Sequence, residues 1–116
     1  MEARAISRYV RQSPRKMRLV IDLIRGRSVG EAYALLQFSK KRAAEAIDKT
    51  LRSAVANARM KAQEAGESLD VDDLYVKEAY VNEGPRLKRW RAAAQGRPAP
   101  IRRPTSHVVI VVDRKG

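Results

Sequence analysis

Between residues 3 and 10, small or aromatic positions (Ala3, Ala5, Ser7, Tyr9) alternate with Arg4, Ile6, Arg8 and Val10. That is the two-residue period of a strand, and it leaves open which set faces a core. The period then lengthens. Ser13-Pro14 has the form of an N-cap followed by proline at the first helical position, Met17, Val20, Ile21 and Ile24 recur at helical spacing, and Gly26 supplies a stop. Ser28-Val29-Gly30-Glu31 matches a capping box, and Val29, Ala32, Tyr33 and Leu36 continue as one face of a second short helix. The longest helix is predicted from about Lys40 to Ala65, with Ala44, Ile47, Leu51, Ala54, Val55, Ala58 and Ala62 as a narrow apolar stripe before Gly66. Small residues dominate that stripe, which predicts close packing on a sheet, while Glu45/Lys49 and Asp48/Arg52 pair at i, i+4 on the solvent side. Strands are predicted at Leu74–Val81 and Ser106–Val112. The second, with the unbroken run Val108 to Val112, suits the centre of a sheet or burial on both faces.

Residues 83–104 follow neither period. They hold seven Lys or Arg against Glu83 alone, a net +6 that is half of the chain's +12, and few core-forming side chains. Burying unpaired charges costs too much for this segment to fold inward, so it is expected to project into a partner that supplies negative charge, nucleic acid above all. Two strands consecutive in sequence without an intervening helix pair antiparallel, which makes the segment an extension of that hairpin. With about 11 residues per arm at ~3.3 Å each, it would reach roughly 35 Å beyond the core. Gly96, in Ala94-Gln95-Gly96-Arg97, reads as the turn, with or without a role in binding. Pro98, Pro100 and Pro104 remove ladder donors and predict a returning arm that is irregular or ordered by RNA.

Composition narrows the function. A chain of 116 residues with 44% hydrophobic positions fits one domain, 1–116, within which 83–104 is an arm. A formal charge of +12 points to an anionic partner. The absence of cysteine excludes disulfides and thiolate metal sites. No stretch approaches a membrane span, and Met1-Glu2-Ala3-Arg4 lacks the apolar core of a signal peptide, so a soluble intracellular protein is expected. Catalysis finds little material. His107 is the single histidine and has no carboxylate near it in sequence, Asp70, Asp72 and Asp73 lack the glycine and terminal glutamate of a calcium loop, and no Walker-type loop occurs. No catalytic residue, cofactor or metal is expected.

The arm's basic side chains are mostly arginine, whose planar fork bonds phosphate oxygens bidentately. Two readings are open for Trp90, stacking on an unpaired base or capping the small core at the hairpin base. Arg15, Lys16 and Arg18 lie in the first turns of a helix, where the macrodipole favours acids; with Ser13 they form either a phosphate site or a solvated basic face. Lys40, Lys41 and Arg42 repeat the situation at the third helix. Arg4, Arg8 and Arg11 are either RNA contacts or charges that protect a sheet edge. Asn57 either bonds RNA or satisfies local backbone.

Several stretches carry a resemblance: Ser13-Pro14-Arg15-Lys16, Asp22-Leu23-Ile24-Arg25-Gly26, Ser53-Ala54-Val55-Ala56-Asn57-Ala58, Glu83-Gly84-Pro85-Arg86-Leu87-Lys88-Arg89, Gln95-Gly96-Arg97 and Thr105-Ser106-His107. Their order and spacing resemble the bacterial large-subunit ribosomal proteins numbered twenty-two over nearly the whole chain. The resemblance implies an α+β fold, three helices packed on a small three-stranded antiparallel sheet, with a long basic β-hairpin running through ribosomal RNA to the wall of the peptide exit tunnel. It implies a structural protein in the cytoplasmic ribosome that aids assembly, with large-subunit ribosomal RNA and neighbouring large-subunit proteins as partners, the nascent peptide as a further contact, and no membrane or homo-oligomer. The RNA-binding set it implies is Arg11, Ser13, Arg15, Lys16, Arg18, Arg25, Lys40, Lys41, Asn57, Arg59, Lys61, Arg86, Lys88, Arg89, Trp90, Arg91, Gln95, Gly96, Arg97, Arg102, Arg103, Ser106 and His107. Ala92, Ala93, Ala94, Gln95 and Gly96 would line the tunnel. Ala92-Ala93 stands where the family often has Pro-Arg, and Pro104 where it has a basic residue, so charge contacts there do not carry over. The alternative is a free-standing DNA- or RNA-binding protein that uses the same arm.

Overall fold

The computed structural model describes residues 2–39, 42–84, 87–92, 98–103 and 105–114, with the backbone alone for 87–92 and 98–103. The elements are β1 (Ala3–Val10), α1 (Pro14–Ile24), α2 (Val29–Phe38), α3 (Ala43–Glu64), a 3₁₀ turn (Val71–Asp73), β2 (Leu74–Glu83), β3 (Leu87–Ala92), β4 (Pro98–Arg103) and β5 (Ser106–Arg114). β5 lies at the centre of a three-stranded sheet in the order β1-β5-β2, antiparallel to both neighbours. α3 packs across β1 and β5 and α1 across β2, so the helices cover one face. This is the α+β architecture expected.

Each helix ends for a local reason. Gly26 at φ +80° turns the chain out of α1, and its N–H then donates to the Val76 carbonyl at 2.9 Å. Ser28 caps α2, its hydroxyl accepting from the Glu31 N–H at 3.3 Å. Gly66 at φ +68° closes α3 in a Schellman motif: its N–H bonds the Gln63 carbonyl at 3.1 Å and the Glu67 N–H bonds the Ala62 carbonyl at 2.8 Å. α3 begins at Ala43, later than its predicted start, with Arg42 as a cap that makes no side-chain bond. The stripe from Ala44 to Ala62 is buried throughout, and Asp48 pairs with Arg52 at 3.0 Å on the same helix.

All of Val108 to Val112 are buried. Val108, Ile110 and Val112 join the core beneath the helices. Val109 and Val111 face the other side, where Ile6 and Tyr80 flank the first and Arg4 and Glu78 the second. Cross-strand neighbours, rather than a second layer, shade them.

β3 and β4 form a separate antiparallel ladder from Leu87↔Arg103 to Ala92↔Pro98 without a register shift. The irregular return predicted from the prolines is not found in this ladder. Pro98 and Pro100, two apart, share one strand edge, and a two-stranded ribbon that turns that edge outward keeps its ladder bonds. Two residues of the outgoing chain and one of the returning chain separate Gly84/Thr105 from Leu87/Arg103. The molecule is elongated, 66 × 29 × 16 Å.

Candidate nucleic-acid interface

The register places one end of the sheet at the root of the arm. β1 ends with Val10 opposite Ser106, β2 ends with Glu83 opposite the same residue, and α1 starts four residues after β1. Arg8, Arg11, Arg15 and Lys16 therefore gather where the basic hairpin leaves the body. All four are exposed, and among the described residues none of them forms an ion pair. The far end is charge-matched. There the Lys77 ammonium bonds the Glu2 carboxylate, a contact that raises its pKa, and lies 3.8 Å from Asp113, while Arg114 lies 3.7 Å from Glu67. Arg8, Arg11, Arg15 and Lys16 thus form an exposed basic group at the root of the arm, where the exposed Glu83 also lies, while Arg4, Arg42, Lys49 and Arg59 are exposed and without an ion pair among the described residues elsewhere on the body.

Four of the sequence-predicted RNA contacts are engaged within the fold itself, where they cover the two free edges of the sheet. On β2, Arg18 donates through Nε and Nη2 to the Val81 carbonyl at 3.2 and 3.0 Å, and Arg25 through the same atoms to Ala79 at 3.0 and 2.7 Å. Gly26 and Arg27 pair with Val76 on that edge. On β1, the Asn57 amide donates to the Arg4 carbonyl at 2.9 Å, and just before the strand the Lys61 ammonium donates to the Glu2 carbonyl at 2.6 Å. Edge carbonyls would otherwise template pairing with another chain, so helix side chains that occupy them protect the fold.

Ser106 is fully buried and its hydroxyl donates to the Gln12 carbonyl at 2.6 Å. Its donor is spent within the fold, where Ser106 ties the β1–α1 link to β5. Ser13 makes no side-chain cap bond, and its backbone carbonyl accepts from Met17 at 3.2 Å. Arg59 is exposed on α3, away from the root. Lys40, Lys41, Arg86, Ala93, Ala94, Gln95, Gly96 and Arg97 lie outside the described residues, as do the side chains of Lys88, Arg89, Trp90, Arg91, Ala92, Arg102 and Arg103.

Sequence reasoning missed Tyr9. Strict alternation puts it with the buried Ala3 and Ala5, yet the β1–β5 register shifts between Ser7 and Val10, Tyr9 takes φ +57°, and its side chain is 60% exposed. Its N–H donates to His107 Nδ1 at 3.1 Å, and the two rings meet edge to face with centroids 5.1 Å apart. The other side of His107 is just as confined. A Cβ at Gly84 would run into Thr105 Oγ1 and come within 3.2 Å of the imidazole, while the Gly84 N–H bonds the Thr105 carbonyl at 2.9 Å.

Among the described residues no helix is long and apolar enough to cross a membrane, and no cluster of three or more His, Cys, Asp or Glu side chains is placed to hold a metal. Residues 5–113 match the Ribosomal protein L22p/L17e family. The chain is similar to the large ribosomal subunit protein uL22 of Bifidobacterium longum (strain DJO10A), 55% identical over 99% of this chain and 97% of that protein. It is similar to the same protein of Clostridium novyi (strain NT), 53% identical over 99% of both, and of Halothermothrix orenii, 53% identical over 99% and 97%. The match extends from within β1 nearly to the end of β5, including the basic arm, and the chain belongs to the Ribosomal protein L22p/L17e family.

Proposed function

We propose that this protein is a structural, non-catalytic constituent of the large ribosomal subunit that binds large-subunit ribosomal RNA and aids assembly. Its body would sit at the subunit surface and its hairpin would run between RNA segments to the exit tunnel. The family match over residues 5–113 carries this reading. The unpaired basic cluster at the root supports it, because the segment of net +6 begins there in sequence. Arg11, Arg15 and Lys16 are the body's phosphate contacts, with Arg59, Lys40 and Lys41 as outlying ones. Arg86, Lys88, Arg89, Arg91, Arg97, Arg102 and Arg103 continue them along the arm, and Ala92 to Gly96 reach the tunnel wall, where a nascent peptide passes. Arg18, Arg25, Asn57 and Lys61 hold the sheet edges first and offer RNA only their remaining donors. Neighbouring large-subunit proteins are the protein partners, and no homo-oligomer forms.

Sedimentation of a lysate containing the tagged full chain through a sucrose gradient tests the assignment. Comigration with the large subunit is expected; a peak at the position of the free protein or of a small DNA or RNA complex would replace this reading with that of a free-standing nucleic-acid binder. A photoreactive probe at Ala93 is expected to crosslink to nascent chains in translating ribosomes. Absence of such crosslinks would remove the tunnel placement alone.

A further inference from the structure

We infer that Tyr9 is a base-stacking residue, held out from the end of β1 by a strained bulge and oriented by His107, and that it takes an unpaired base of the RNA gripped at the root of the arm. This rests on the RNA-binding reading above. A tyrosine at φ +57° occupies a region that side chains with a Cβ avoid, so the surrounding contacts must hold it there. Those contacts are specific. The Tyr9 N–H is bound by His107 Nδ1, the His107 ring lies edge to face with the phenol, and His107 is backed by Gly84, where a Cβ would come within 3.2 Å of the ring. The result is a ring with a defined orientation on a residue that is 60% exposed, rather than one packed into the core.

The surroundings select the occupant. Arg8 and Arg11 flank Tyr9 in sequence, both exposed and free of ion pairs among the described residues, and the arm leaves the body beside His107. An exposed aromatic ring with cations on residues near it in sequence suits the way proteins bind unpaired nucleotides: phosphates go to the cations and a base lies on the ring. An apolar protein partner would meet those cations unpaired. His107 is thus a positioning residue for Tyr9.

Equilibrium binding of the full-length protein to protein-free large-subunit ribosomal RNA, measured across a salt series, tests the inference. Tyr9→Gly removes the ring at a position where glycine accepts the backbone conformation, so the variant folds, as its circular dichroism and melting midpoint will verify. Loss of one stacked base should weaken binding about 5- to 150-fold at every salt concentration without changing the log–log slope, because no phosphate contact is lost. Tyr9→Phe should bind like the wild type. Unchanged affinity of Tyr9→Gly, a reduced slope, or a Tyr9→Phe as weak as Tyr9→Gly would each overturn the stacking role. A wild-type slope near −1 would instead sink the RNA-binding reading on which it rests.

Discussion

Gly84 stands where a single methyl group separates a closed arm root from a disrupted one. Its N–H bonds the Thr105 carbonyl at 2.9 Å while its missing side chain leaves room for Thr105 Oγ1 and the His107 ring. Gly84→Ala should therefore destabilise the protein by about 1–3 kcal/mol through overpacking, read as a lower melting midpoint. It should also disturb Tyr9, whose N–H depends on the position of His107 Nδ1. Tyr9→Gly should behave differently. Relief of left-handed strain, roughly 1–2 kcal/mol, is offset by the lost ring contact and by the more flexible unfolded chain, so its melting midpoint should stay near that of the wild type. Ser106→Ala leaves the Gln12 carbonyl without its buried donor and should cost about 1–2 kcal/mol.

At the scale of elements, the two sheet edges are closed by side chains that helices lend to them. α1 and the residue that follows it supply Arg18 and Arg25 to β2, and α3 supplies Asn57 to β1 and Lys61 to the residue just before it. The double variant Arg18→Ala with Arg25→Ala should lose about 1 kcal/mol per arginine in chemical denaturation, since the freed carbonyls regain water. The larger consequence should appear in light scattering. An uncovered β2 edge is a template for a second chain, and concentration-dependent association is expected of this variant and not of the wild type. Between the edges, the alanine-rich stripe of α3 sets how near the helix lies to β1 and β5. Ala54→Leu in that stripe should cost about 1–3 kcal/mol, because the fully buried position has no room for three more carbons.

For the whole molecule, the core described beneath the helices draws on β1, α1, α2, α3, β2 and β5, while the segment 83–104 holds half of the net charge. Replacing residues 86–103 by a short Asn-Gly turn should therefore leave the circular dichroism of the body and its cooperative unfolding intact; an unfolded product would make the arm part of the core. Binding of the full chain to ribosomal RNA should show a log–log salt slope of about −4 to −7, as for roughly six to eight phosphates neutralised among the basic side chains assigned above. The armless variant should show a slope smaller by several units, because seven of those basic residues are removed.

Helix spans, helix stops, the central place of the last strand and the basic arm were legible in the sequence because each depends on near neighbours along the chain. A side chain's period, a glycine past the last turn or a run of valines acts locally. The ordered motifs from Ser13 to His107 likewise sufficed to indicate the family. What Arg18, Arg25, Asn57 and Lys61 bond was not legible: a basic or amide side chain on a helix looks the same whether it faces RNA or a strand carbonyl. Only the sheet order, with β1 and β2 at its margins, presents them with backbone acceptors. What Ser106 bonds was hidden for the same reason, since it depends on the β1–α1 link folding over it. Tyr9 shows the limit most clearly. Alternation groups it with Ala3 and Ala5 and leaves open which set faces the core; the register between β1 and β5 then shifts beside it, and a shift of one residue exchanges the two faces of a strand. Tertiary pairing alone decides that, and it places an exposed aromatic ring at the root of the arm.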